Sequence, residues 1–440
     1  LNDITTSRRY FLKSSSTAVA TATLVGSRAV TDARAAGANV RIRVGVIGCG
    51  GQGRGAHIGA FPAEMNAEIA YVCDPDAQRL ADAAGLAKGA QPVADLRRIL
   101  DDPAVDAVSI ATPDHWHTPA AILAMEAGKH VYVEKPCSHN LREGRLLVEA
   151  SQRTGRIVQH GTQARSNRGF QEAIEMLDNG VIGDVMIAKA WNVQRRDNIG
   201  HAQPSDVPIG FDYDTWVGPA PMMPFQSNRH HYNWHWWYNF GTGDLGNDGV
   251  HEIDMARWGL GVDTHPNGVA VVGGKYFFDD DQQFPDTVTT TFDYSGGLGE
   301  RKQLIVEMRL WCTNYPEGVD SGIEFLGTKG TMFFSRRGKF RLLGERNKSL
   351  DQQPSEPPKM DVGNNLRAWL TAIRGDAPAT APASEAHLSA SLCHLANIGV
   401  RVGRSLAFDG EHEQIVGDRE ANRLLAREYR DGHWAVPAGT

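Results

Sequence analysis

Short apolar runs recur through the first third of the chain, spaced so that a helix fits between each pair. Val44 to Ile47, Ile69 to Cys73, Val105 to Ala111, His130 to Val133 and Ile157 to Gln159 read as strands. Pro75 to Leu86, Asp95 to Leu100, Pro119 to Ala127 and Leu141 to Thr154 read as the helices between them, the last two with apolar residues at helical spacing. This alternation predicts an N-terminal doubly wound parallel sheet, with βαβ units covering both faces. After Gly161 the pattern changes. Gln171 to Asn179 reads as a helix and Gly183 to Val193 as a strand, followed by a long loop rich in Gly, Pro, His and Trp to about Asp244. Gly268 to Phe278, Asp286 to Tyr294, Lys302 to Leu310, Gly322 to Leu326 and Thr331 to Phe334 then alternate as strands, and Asn365 to Arg374 and Glu385 to Arg404 are helix-like. Successive strands after one helix predict an α+β domain on a large, mostly antiparallel open sheet. The expected division is a leader over 1–38, a nucleotide-binding domain over 39–160 and a substrate-binding and oligomerisation domain over 161–440.

Composition narrows the field by exclusion. A chain of 440 residues with 41% hydrophobic content can bury more than one core, and a net charge of −7 with scattered basic residues argues against a nucleic-acid partner. The five cysteines show no C-x-x-C pairing, so neither a zinc knuckle nor a disulfide framework is encoded. The mildly apolar stretch near the N-terminus is too short and too polar for a good membrane span, and no other segment approaches the ~20 apolar residues required. At the N-terminus, Ser7-Arg8-Arg9-Tyr10-Phe11-Leu12-Lys13 precedes a mildly apolar stretch, and Ala33-Arg34-Ala35 offers a small-x-small cleavage site. This is the pattern of a twin-arginine export signal, a route that carries proteins already folded, and it predicts a periplasmic destination.

Chemistry enters at Arg43-Val-Gly-Val-Ile-Gly48-Cys-Gly50-Gly51-Gln52-Gly53, where a β-branched run meets a glycine turn ahead of a helix-like segment over 56–65. Asp74 follows at the end of the next strand, about twenty residues on. A glycine turn lets main-chain N–H groups approach a pyrophosphate, and an acid at that distance can hold an adenosine ribose. Asp74 favours NAD over NADP because a carboxylate repels a 2′-phosphate, with Arg79 nearby as the opposing charge. Two further segments end strands of this domain, where open α/β sheets bind ligands. They are Thr112-Pro113-Asp114-His115-Trp116-His117 and Glu134-Lys135-Pro136. A lysine leaving a buried strand aims its ammonium into the crevice, where it can hold a substrate hydroxyl and, desolvated, help remove its proton.

The glycine turn, Thr112-Pro113 with His117, and Glu134-Lys135-Pro136 together resemble the Gfo/Idh/MocA family of oxidoreductases. The resemblance continues through Gly180-x-x-Gly183-Asp184, Trp216-Val-Gly-Pro219, Gly249-Val-His251-x-x-Asp254-x-x-x-Trp258 and Gly327-Thr-Lys-Gly-Thr331. It implies a Rossmann domain followed by an open-sheet domain, tightly held NAD(P), and redox chemistry on a hydroxyl of a sugar, cyclitol or glycoside. It implies Lys135 and His251 as the acid/base pair. One position departs from the resemblance: many such dehydrogenases carry Asp four residues before the histidine, and here that residue is Asn247, which cannot act as a carboxylate base. Asp248 lies about 100° around the helix and Asp244 a turn earlier.

Other residues have less decided roles. The segment Arg229-His230-His231-Tyr232-Asn233-Trp234-His235-Trp236-Trp237-Tyr238 suits a carbohydrate site, its aromatic faces against C–H groups and its His, Asn and Tyr tips on hydroxyls; it equally suits a clamp on a long loop or a subunit contact. His230, Tyr232, Trp234, His235 and Asn247 are therefore candidate substrate contacts, and the histidine spacing matches no metal-ligand motif. Gln163 and Arg165 read either as contacts to the nicotinamide ribose and substrate or as interdomain hydrogen bonds. Two other functions stay open: a glycosidase that uses bound NAD transiently, and a non-catalytic sugar or nucleotide sensor. A broad exposed sheet face predicts a homodimer or homotetramer.

Overall fold

Ile42, Val44, Val46 and Ile47 of the first strand are all almost completely buried, as a parallel strand covered on both faces must be. The structure is a computed structural model and describes residues 41–61, 65–296 and 300–440; the export signal expected over 1–38 lies outside the described residues. A six-stranded sheet in the order β3-β2-β1-β4-β5-β6 is formed by β1 (Ile42–Ile47), β2 (Ala67–Cys73), β3 (Gln91–Val93), β4 (Ala107–Ile110), β5 (His130–Val133) and β6 (Val158–His160). Every neighbouring pair is parallel. The helices between them are α1 (Ala77–Leu86), α2 (Arg97–Leu100), α3 (Asp114–Glu126) and α4 (Leu141–Thr154). Local chemistry sets their ends: the Asn140 side chain accepts the Glu143 N–H (3.0 Å) at the start of α4, and Gly155 closes it at φ +66°.

A nine-stranded sheet follows, β13-β12-β11-β7-β10-β9-β8-β14-β15. It contains β7 (Val185–Asn192), β8 (Gly268–Gly274), β9 (Thr287–Tyr294), β10 (Lys302–Arg309), β11 (Ser321–Gly327), β12 (Gly330–Phe334), β13 (Phe340–Gly344), β14 (Leu406–Asp409) and β15 (Gln414–Ile415). Only β10 with β7 is parallel, so the sheet is mostly antiparallel, as the alternating pattern requires. Its inner face, with Val288, Phe292, Leu304 and Val306, packs against α5 (Arg168–Asp178), α7 (Val250–Leu260) and α9 (Ala383–Val402), while Lys189, Val272 and Thr289 face outward. Between β7 and α7 the loop holds only the short α6 (Tyr213–Val217) and single turns. Two late helices return to the first sheet. In α8 (Val362–Arg374), Leu366, Trp369 and Leu370 pack with Ile42, Val44 and Tyr132, and α9 lies along α4; α10 (Arg419–Arg423) precedes the C-terminal tail.

Three of the elements read from the sequence differ most in the structure, and the short strands β3, β13, β14 and β15 are added to them. Of the helix expected over 56–65, the described residues to Phe61 form instead a wide turn at Gly53–His57 that runs into a single tight turn at Ile58–Ala60, since Gly53, Gly55 and Gly59 weaken a helix. Helix α3 begins at Asp114 rather than Pro119, so the Asp114 to His117 segment is its first turn. Strand β8 stops at Gly274 because the Asp286 carboxylate accepts the N–H groups of Tyr276 (3.0 Å), Phe277 (2.9 Å) and Phe278 (2.9 Å), turning that stretch away from the sheet.

Candidate active site

A cleft opens at the C-terminal ends of β1, β2, β4 and β5, and its first wall is the glycine turn. Gly48 has φ +91°, and a Cβ there would lie 2.5 Å from the Ala111 carbonyl; a Cβ on Gly53 would lie 1.9 Å from the Gly48 carbonyl. Gly50 and Gly51 face the cleft, and nothing lies within 4 Å of a Cβ built on Gly51, so that side of the turn has room for a ligand. Asp74 ends β2, accepting the N–H groups of Cys49 (2.7 Å) and Asp76 (2.9 Å); burial raises its pKa against those bonds. The Arg79 guanidinium lies over Gly50, with Nη1 2.9 Å from the place of a Cβ. Thr112 and Pro113 form the opposite lip, and the Thr112 hydroxyl is buried without a partner. An open cradle, an acid at the second strand end and an unsatisfied hydroxyl fit a dinucleotide.

Beneath the turn a polar chain fixes Glu134. Gln52 Nε2 donates to its Oε1 (2.8 Å), His57 Nε2 lies 3.0 Å from the same oxygen, and His57 Nδ1 meets the Ser109 hydroxyl (2.7 Å). Burial alone would raise the Glu134 pKa, but His57, Lys135 and Gln52 outweigh it and hold the group well below the usual carboxylate range. His117 is a strut rather than a free base: Nδ1 lies 2.6 Å from the Pro136 carbonyl and Nε2 2.9 Å from the Thr112 carbonyl. It thereby ties together the two strand ends that carry Thr112 and Lys135.

The second wall comes from the loop over 230–238 and the turn Leu245–Gly249 that leads into α7. Lys135 reaches across and donates to the Asn247 carbonyl, with Asn247 Oδ1 at 3.4 Å. Asn247 Nδ2 donates to Asp244 Oδ1 (2.9 Å) and to Tyr232 Oη (3.3 Å). Tyr232, Trp234 and His235 line the cleft, Trp234 stacking on His235 at 3.6 Å between ring centres. Neither nearby acid replaces the missing carboxylate. Arg196 holds both Asp244 (2.8 Å) and Asp248 (2.5 Å), and Arg336 adds a bond to Asp248 (3.0 Å). Burial, then Lys135 and Arg336, push His251 down to about 3, so it is neutral at pH 7; its buried Nδ1 has no partner. It sits one turn beyond Asn247, behind the cleft surface rather than on it.

Besides His251, three more expected contacts are not in the cleft. Arg165 is an interior ion pair: Nε bonds both Asp254 oxygens (3.0 and 2.8 Å), Nη2 lies 3.2 Å from Glu385, and Trp258 covers the guanidinium. The buried Asp254 and the half-buried Glu385 hold the guanidinium in the interior, away from the cleft. His230 packs between Phe211 and Phe225 instead, its apolar ring faces used as core. Gln163 is buried beside Tyr132 beneath the sheet. Asp76, His230 and His231 do group together, with His231 Nε2 3.0 Å from Asp76, whereas His235 and His251 do not join them.

Several residues that line the cleft are not among the expected contacts. Trp216 and His231 close the cleft from the second domain, and Trp434 arrives from the tail, stacked under Arg97 at 4.6 Å. Asp114, in the first turn of α3, accepts from Thr242 Oγ1 (2.6 Å), and burial pushes it up to about 7.

Residues 42–162 match the description "Oxidoreductase family, NAD-binding Rossmann fold" of the Gfo/Idh/MocA group, and 185–436 match its C-terminal alpha/beta domain. The chain belongs to the Gfo/Idh/MocA oxidoreductase family. Among relatives of this Gfo/Idh/MocA chain is inositol 2-dehydrogenase 2 of Saccharopolyspora erythraea, 31% identical over 221 residues, 50% of this chain and 54% of that protein. Another is the NAD(+)-dependent scyllo-inositol 2-dehydrogenase of Bacillus subtilis, 26% identical over 321 residues, 71% of this chain and 80% of that one. The chain thus spans about half the length of the first relative. A levoglucosan dehydrogenase structure, a complex with NADH and L-sorbose, superposes with a TM-score of 0.65 over 84% of this chain and 99% of that one; at 20% identity it shows the shared fold.

Proposed function

We propose that the protein oxidises a hydroxyl of a sugar, cyclitol or glycoside. NAD, held by Gly48, Gly50, Gly51, Asp74 and the Thr112–Pro113 lip, supplies the hydride acceptor. The observation that carries the reading is Lys135: its ammonium crosses from the end of β5 to Asn247, beside the glycine turn and facing Tyr232, Trp234 and His235. A substrate oxygen taking the place of the Asn247 carbonyl meets a positive charge that favours its alkoxide form. The neutral His251 imidazole, one turn behind Asn247 with a buried, unpartnered Nδ1, receives the proton through a bridging water, and the amide of Asn247 orients the hydroxyl without itself titrating. The relatives' activities on inositols support a ring-hydroxyl substrate. Lys135→Met tests this: turnover falls by roughly two orders of magnitude or more while NAD still binds. Unchanged turnover would favour the sensor reading instead.

The glycosidase reading draws on one observation: Asp244 and Asp248, the acids flanking Asn247, are both held by Arg196. Release of nitrophenol from nitrophenyl glycosides without added NAD and without net reduced cofactor would establish it over the dehydrogenase.

We also infer export by the twin-arginine route to the periplasm, from Ser7 to Lys13, and a homodimer or homotetramer through the outward face of the second sheet, supported by exposed Val272. Native mass spectrometry of protein from the periplasmic fraction reads both, together with retained NAD. Monomers, or protein confined to the cytoplasm, would refute the respective inference.

A further inference from the structure

Behind the cleft lies a second cavity of about 580 Å³, within the usual range for a small-molecule site. Arg401, Arg423 and Arg427 face it against one acid, Glu428. Arg427 is pinned by Glu143 (2.7 Å) and the His115 carbonyl (2.7 Å), which leaves Nη1 buried without a partner. Asn140 is similar: Oδ1 is spent on capping α4, and Nδ2 is buried and unpartnered. Both nitrogens of His139, itself 9% exposed, also lack a hydrogen-bond partner. Arg401 lies over the Tyr238 ring at 4.0 Å, and Arg423 makes only a long bond to the Arg419 carbonyl (3.4 Å). Buried polar atoms are rarely left unsatisfied, and here donors on three neighbouring residues face one basic cavity.

We propose that this cavity binds a phosphate- or carboxylate-bearing small molecule of about monosaccharide size. The anion bonds Arg427 Nη1 and Asn140 Nδ2, Arg401 and Arg423 close over it, and Tyr238 and Phe284 offer aromatic faces to its carbon skeleton. The site is distinct from the cleft but shares a wall with it: Thr242 Oγ1 donates to Asp114 on the cleft side, and its carbonyl accepts from Asn397 (2.7 Å) on the cavity side.

Calorimetric titration of the full chain with inorganic phosphate, glucose 6-phosphate and gluconate tests the proposal and distinguishes the anion source. Saturable binding of at least one probe is expected, weakened about tenfold or more in Arg401→Gln/Arg423→Gln. Both arginines are exposed, so the double variant should fold and bind NAD as wild type does. Arg427→Lys, which keeps the charge but loses the fork, should weaken binding further. No saturable binding of any probe at millimolar concentration, or binding indifferent to the double variant, overturns the site.

Discussion

The wall of the cleft that comes from β1 and β2 is largely main chain, with Gly48, Gly50 and Gly51 exposing backbone to a ligand and Asp74 already held by two N–H groups. The wall from 230–251 is side chain, and most of its charge is already spent within the protein: Asp244 and Asp248 on Arg196 and Arg336, Asn247 on Asp244 and Tyr232. A main-chain wall fails when a Cβ intrudes. A side-chain wall fails when one partner in a network changes, even if the replacement looks more catalytic. Lys135 joins the two, leaving one wall to bond the other.

The largest effect should fall on the main-chain wall. Gly53→Ala places a Cβ 1.9 Å from the Gly48 carbonyl and should abolish NAD binding or folding. Gly51→Ala, with open space around it, should change stability by no more than about 1 kcal/mol, so any loss of NAD affinity there reports ligand contact. Equal stability loss in both, measured by denaturant unfolding, would refute the account of the turn. Arg165→Met comes next. It leaves Asp254 buried and short of its cation, and should cost about 3–5 kcal/mol of stability while substrate KM is unaltered. A KM effect without destabilisation would restore Arg165 to the substrate site.

Asn247→Asp sharpens the comparison because it restores the family's usual acid. Here it removes the donor to Asp244 and sets two carboxylates side by side, so a loss of about 1–3 kcal/mol and no gain in turnover are expected. Faster turnover would show that Arg196 can serve both acids. A pH dependence reads the two walls together. Burial depresses His115, His235, His251 and His394 to about 3, below their ordinary 6.5, so the unfolded chain binds more protons between those values. Their contribution to stability is complete above pH 6.5 and is lost as pH falls. Asp114, raised to about 7, acts oppositely, its neutral form lost as pH rises toward 7. The melting temperature should therefore drop on acidification, and Asp114→Asn should steepen that drop; a flat profile from pH 7 to 5 would contradict both.

The cofactor wall was legible because its signals are local. A β-branched strand, glycines at fixed offsets and an acid at the next strand end are each set by a few adjacent residues, and Gly48, Gly50, Gly51, Asp74, Thr112, Pro113 and Lys135 all reach the cleft. The other wall depends on pairings between residues far apart in the chain. Nothing near Arg165 announces that Asp254 and Glu385 will claim it, and nothing near His230 announces Phe211 and Phe225. The same holds for the fold. The strands with clear alternation were readable, while β3, β13, β14 and β15 are too short, or too interrupted by Pro and charge, to show a period. Trp434 was invisible for a further reason: a tail residue has no pattern around it.

That tryptophan gives the cleft an unusual order of assembly. A wall begun at Gly48 is finished by a side chain that leaves the ribosome almost four hundred residues later, packed against Trp116 and Arg97. A first domain folded before residue 434 joins it lacks the indole that lies against Trp116 and Arg97, and meets a cofactor with that side of the cleft open.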